Sequence, residues 1–175
     1  MKRREIKNVH EQAVLNNFKH YLLNLGKILE VLNNPEPPDA IVKIDGKINW
    51  IEITDAFLNK EMAESITSFL AEDKPHKAVP TKIRKVYCPD MQFNEILPET
   101  IQKKYIKNSI KKVRDEFGRG ILLVGAHTPF SSARDICETE RSSILNMIAT
   151  EDDRFKEIYL YDGSGTNSQF FPIGL

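Results

Sequence analysis

Cysteine is scarce in this chain: Cys88 and Cys137 are the only two in 175 residues, and no Cys-x-x-Cys pair occurs. That excludes a disulfide framework and a cysteine-based zinc site. The four histidines, His10, His20, His76 and His127, show no metal-ligand spacing. Long apolar runs are missing as well. None approaches the roughly 20 residues a membrane helix needs, so no membrane partner is expected. No apolar stretch follows the basic opening Met-Lys-Arg-Arg-Glu-Ile-Lys, which predicts a cytoplasmic chain without a secretory signal. Net charge is absent too, with 25 Lys and Arg against 25 Asp and Glu.

What is present fits a globular protein: 41% hydrophobic and 29% charged residues, enough for a single domain over 1–175 with a real core. The zero net charge conceals an asymmetry. Acids outnumber bases over 36–73. Bases dominate 74–119, where Lys103, Lys104, Lys107, Lys111, Lys112 and Arg114 crowd one segment. An acidic centre beside a basic flank suits an enzyme acting on a phosphate backbone; two solvated faces would read the same way.

Apolar spacing predicts a long amphipathic helix over 9–32, from Leu15, Phe18, Leu22, Leu25, Leu29 and Leu32. The prolines of Asn-Asn-Pro-Glu-Pro-Pro stop it. A second helix, capped by Thr54 or Asp55, is expected to run to about residue 71. A strand is expected over 81–88 and a helix over 98–117 ending at Gly118. The wholly apolar run 120–125 reads as a strand buried on both faces. A helix over 132–150 and a strand over 158–161 follow. The order predicts an α/β fold, a mixed sheet with helices on both faces.

The most informative segment is Pro38-Asp39-Ala-Ile-Val-Lys-Ile-Asp45-Gly46-Lys-Ile-Asn-Trp-Ile-Glu52-Ile-Thr54. Asp45-Gly46 between two β-prone runs signals a two-residue hairpin turn. Ile44 then faces Lys47, and counting outward sets Asp39 opposite Glu52. Opposed residues have Cβ atoms about 4.5–5.5 Å apart, so both carboxylates could reach one divalent ion. A slip of one residue would send Glu52 to the other face. A strand-edge Asp and a solvent-facing Glu are the plain alternative.

Pro38-Asp39 followed by Glu52-x-Thr54, on adjacent strands after a long helix, resembles the PD-(D/E)xK nuclease superfamily, and within it the subset reading PPD…IE-x-T. The likeness covers residues 8–56. It implies a restriction-endonuclease-like core, phosphodiester hydrolysis, Mg²⁺ or Mn²⁺ as cofactor, and Asp39 and Glu52 as metal ligands. Nucleic acid, DNA first, would be the partner, and a homodimer is compatible. Glu11 matches the acid that family members often carry on the first helix; an acid in a first turn also complements the helix dipole.

The family's lysine, two residues after the Glu, is Thr54 here. That departure leaves two readings: a nuclease whose lysine comes from elsewhere, or an inactive nuclease-like domain that binds nucleic acid or a protein. With Ile106, Ile110, Val113 and Phe117 as the buried stripe of the 98–117 helix, Lys103 falls nearest the stripe. Lys103 is therefore the expected site lysine. Lys103, Lys107 and Lys111 form a ridge, with Arg114 beside it, expected to bind phosphates.

Overall fold

A computed structural model describes residues 2–70, 75–80, 89–128, 131–151, 153–163 and 169–174. Among these, six strands form one mixed sheet in the order β1-β2-β3-β4-β5-β6, with five helices around it. The α/β expectation holds. No helix among the described residues is long and apolar enough to cross a membrane.

The first helix, α1 (Arg3–Asn24), buries Val14, Leu15, Phe18 and Leu22 at helical spacing. It stops earlier than the apolar spacing predicts. Gly26 takes φ +76°, a left-handed value suited to glycine, and Lys27 N–H donates to Leu22 O at 2.9 Å to close the helix end. The chain then re-enters as strand β1 (Leu29–Asn33). Leu29 stays buried because the strand folds back under the same helix, while Leu25 and Leu32 are exposed. A helical stripe and a helix followed by a strand therefore share the same leucines.

The hairpin forms as read. Asp45 (φ +47°) and Gly46 (φ +80°) make a turn with both central residues left-handed, the form whose twist suits paired strands. Strand β2 (Ala40–Ile44) pairs antiparallel with β3 (Lys47–Phe57), Ile44 facing Lys47, Ile41 facing Trp50 and Ala40 facing Ile51. Strands β4 (Gly120–His127) and β5 (Phe155–Asp162) join β3 in parallel, and β6 (Phe171–Pro172) closes the far edge antiparallel. All of β4 up to Ala126 is buried, as its apolar sequence predicts.

Because β3 runs to Phe57, neither Thr54 nor Asp55 caps a helix. Asn59 does: its side-chain oxygen accepts the Met62 N–H at 2.8 Å, just inside α2 (Lys60–Leu70). The expected 98–117 helix is two. Helix α3 (Pro89–Ile106) takes Pro98 into its interior, and α4 (Asn108–Phe117) starts after an extended residue, Lys107 (φ −74°, ψ 114°). The strand expected over 81–88 lies outside the described residues. Helix α5 (Ala133–Ile148) links β4 to β5, its N-terminus capped reciprocally by Ser132 and Asp135.

Side-chain alternation along the strands divides the core in two. On one face Ile51, Ile53, Ile121 and Leu123 pack beneath α1 with Phe18 and Leu22. On the other, Trp50, Leu122, Val124 and Leu160 pack against α3, α4 and α5 through Leu97, Ile101, Ile110 and Ile144. Glu52 shares the parity of Trp50 and so points into this second layer.

Candidate functional site

Strand β3 carries Glu52 into apolar surroundings, where it is 2% exposed. Burying an ionised carboxylate is costly unless its oxygens are engaged. One is: Lys104 Nζ, from the last turn of α3, lies 2.6 Å from Glu52 Oε1 and also donates to Ile53 O at 3.3 Å. Lys107 Nζ stands 3.9 Å from the same oxygen. The second oxygen, Oε2, is buried with no hydrogen-bond partner. Burial raises the Glu52 pKa and Asp39 adds to the rise, against the pull of Lys104.

Asp39 occupies the position just before β2, one step beyond the Ala40–Ile51 pair, which sets it across from Glu52. It too is buried. Its Oδ2 accepts the Ile53 N–H at 2.7 Å, its backbone oxygen accepts from Asn34 Nδ2 at 2.7 Å, and its Oδ1 is 3.8 Å from Lys7 Nζ. The Ile53 N–H and Lys7 hold the carboxylate, and Asn34 holds the backbone, at the open end of the hairpin.

On the α1 side of Asp39, Glu11, Glu36 and Asp39 offer oxygens within 4.8 Å of one another. Lys7 stands among them, 3.1 Å from Glu11 and paired with Glu36. Burial pushes the Glu11 carboxyl up to about 6, with Asp39 contributing, although Lys7 opposes the rise. Partial burial lowers the Lys7 pKa, but Glu36, Glu11 and Asp39 outweigh it and hold the ammonium above its ordinary range. A shallow cavity of about 150 Å³ opens here, lined by Arg4, Asn8, Glu11, Asn34, Glu36 and Asp39.

The structure thus brings Asp39, Glu52 and Glu11 to one end of the hairpin, with Thr54 half-buried two residues beyond Glu52 on the same face. Lys103 is not the lysine that joins them. Its side chain is 70% exposed and pairs with Glu99 at 3.8 Å. The reason is helical phase. The break at Lys107 separates Ile106 from Ile110, so the stripe that positions α3 is Phe93, Leu97, Ile101 and Tyr105. At 100° per residue Lys104 falls about 20° from Leu97, whereas Lys103 falls about 120° away. Ile106 itself is exposed.

The same break dissolves the expected ridge. Lys107 turns toward Glu52, Lys111 remains exposed, and Arg114 pairs with Asp115 at 3.1 Å and donates to Asp153 O at 3.2 Å. Lys7, Glu36 and Lys104 escaped the sequence reading. Only Lys104 left a signal there, through the Leu97–Ile101 spacing.

A separate polar knot lies on the α1 face. Asp55 Oδ1 accepts from Tyr161 OH at 3.0 Å and lies 3.1 Å from His127 Nε2, while His10 Nε2 is 3.0 Å from Oδ2. Burial would raise the Asp55 pKa, but the two histidines hold it well below the usual carboxylate range, and Asp55 in turn raises His10. His127 ends β4 and stacks on Phe57. Four elements are tied together by this one carboxylate.

No family model matches the chain, and neither a curated protein nor a solved structure does.

Proposed function

We propose that the chain is a metal-dependent nuclease that hydrolyses phosphodiester bonds in nucleic acid, DNA first, on a restriction-endonuclease-like core of the PD-(D/E)xK kind. The observation that carries this reading is the stranded oxygen of Glu52. A buried carboxylate with one oxygen on a lysine, one oxygen without a partner, and a second buried acid across the hairpin fits a divalent ion as its missing partner. Hard cations such as Mg²⁺ and Mn²⁺ take oxygen donors of this type.

In this reading Asp39 and Glu52 would hold the ion and Glu11 would assist from α1. When bound, the ion supplies Lewis acidity, making water more acidic and offsetting the charge that develops on the phosphodiester. The chain's own groups do the rest. The Ile53 N–H fixes Asp39 through Oδ2. Lys104 takes the post left vacant by Thr54: anchored on Glu52 Oε1 and Ile53 O, its ammonium is held beside the acids, where it orients the attacking water and balances negative charge. Lys107, more exposed, is placed to receive an adjacent phosphate.

The test is cleavage of duplex and single-stranded DNA and of RNA with Mg²⁺ or Mn²⁺, wild type against Glu52→Ala. Metal-dependent cleavage lost in the variant supports the reading; an equal background rate from both proteins on every substrate sinks it. A second reading, an inactive nuclease-like domain that binds nucleic acid, draws on Thr54 and on Lys104 being already committed to Glu52. It expects salt-sensitive binding without metal-dependent turnover.

A further inference from the structure

On the face of the sheet opposite Glu52, where α1 ends and β3, β4 and β5 begin, lies a cavity of about 200 Å³. Leu22 and Ile121 form its apolar floor, and three lysines, Lys27, Lys47 and Lys156, stand around it with Asn49. We propose that this cavity is a phosphate-binding site, taking the phosphate group of a nucleotide or of a nucleic-acid backbone.

The case rests on an excess of positive charge, three lysines against two carboxylates, around a half-open space. Two acids also line the cavity, each with one oxygen engaged: Asp45 Oδ1 accepts the Ile28 N–H at 2.9 Å, and Glu157 Oε2 accepts from Tyr159 OH at 2.8 Å. Among the described residues neither lies within ion-pair distance of Lys27, Lys47 or Lys156. Lys60 and Lys77, by contrast, both lie within ion-pair distance of Glu64.

Lys156 is held in place. It donates to the side-chain oxygen of buried Asn49, whose amide nitrogen donates in turn to Lys47 O at 2.9 Å. Partial burial pulls the Lys156 pKa down; Glu157 pulls the other way, and Arg119, Lys27 and Lys47 lower it further. An anion would relieve that repulsion. Lysine binds phosphate as a point charge, and all three stand around the one space. A water's share of liquid volume is about 30 Å³, so the space admits a group of several heavy atoms. The face is not the one that carries Glu52 and Lys104, so the site is independent of the proposed catalysis.

Calorimetric titration with inorganic phosphate, a nucleoside monophosphate and a short DNA duplex tests this, comparing wild type, Lys47→Gln, Lys47→Gln/Lys156→Gln and, as a control, Lys60→Gln. Wild type and the control should bind inorganic phosphate alike, with affinity falling about tenfold or more in the double variant. If duplex affinity falls with it and the salt slope lessens, the phosphate is a backbone one. If only nucleotide and free phosphate are affected, the ligand is small. Should the double variant melt early, Lys47→Gln decides, since Lys47 is exposed and a severalfold loss is expected from it alone. Binding of all three probes unchanged in these variants, or no binding of any probe to wild type, overturns the proposal.

Discussion

Lys104 and Glu52 meet at 2.6 Å across 52 positions of sequence, the side chain of the acid 3% exposed and that of the lysine 18%. Two charges taken this far from water depend on one another. Removing one partner of a buried pair typically costs about 3–5 kcal/mol, because the other is left charged and dry. Lys104→Met should therefore destabilise the protein by about 3 kcal/mol in urea unfolding and abolish cleavage. Lys103→Met should do neither. Lys104→Met combined with Glu52→Gln should recover much of the stability and none of the activity, which separates the structural contribution of the pair from its chemical one.

Divalent metal should stabilise the folded chain through the acids at the hairpin mouth. A ligand that binds only the native state adds stability in proportion to the logarithm of its concentration over its dissociation constant. Raising Mn²⁺ should raise the melting temperature of wild type, and Glu52→Gln and Asp39→Asn should lose that rise. Asp39→Asn retains an acceptor for the Ile53 N–H, so its metal-free melting temperature should stay close to wild type. An equal Mn²⁺ response in all three proteins would remove these acids from the binding site.

The Asp55 knot makes stability depend on pH. His10, raised above its ordinary 6.5, adds stability that is complete below 6.5 and is lost as pH climbs through its folded value. Asp55, held below its ordinary 3.8, adds stability above 3.8 and loses it as pH drops toward its folded value. Both contributions coexist between 3.8 and 6.5. Calorimetric melting should show the wild type losing more stability than His10→Gln on going from about pH 6 to about pH 8, and parallel curves would contradict this.

Lysines around the α3–α4 break should differ in their effect on nucleic acid. Lys107 approaches Glu52, while Lys111 faces solvent one turn into α4. Lys107→Ala should lower cleavage and DNA affinity together and reduce the salt slope by about one unit. Lys111→Ala should leave cleavage within about twofold of wild type. Fluorescence titrations across a salt series distinguish them.

The hairpin was legible because its information is local. Asp45-Gly46 dictates the turn, the turn dictates the register, and the register sets Asp39 across from Glu52. Strand β4 was legible from its unbroken apolar run. The Gly26 turn was not, since the leucines from Leu15 to Leu32 satisfy helical spacing whether or not the chain reverses between them. The lysine was misplaced by one residue for a related cause. A stripe continued through Lys107 takes its phase from α4, and α4 is turned relative to α3. Periodicity gives the face of a helix only when its ends are known, and here a single extended residue separates two phases. The contacts of Asp55 with His10, His127 and Tyr161 join residues from four elements, and no spacing in the chain announces them.

Arg154, just ahead of β5, donates to Lys107 O at 2.8 Å and reaches Lys104 O at 3.5 Å. Lys104 O belongs to the last turn of α3, and Lys107 O, the N-cap carbonyl of α4, also accepts the Ile110 and Lys111 N–H groups at 3.0 and 3.2 Å. The turn bearing Lys104 is thus moored by a guanidinium at the entry to β5. The aim of Lys104 at Glu52 is inherited from β5, two strands away from the one that carries the acid. A change at the start of that strand would reach the acids by letting the mooring slip, with every residue of the site itself untouched.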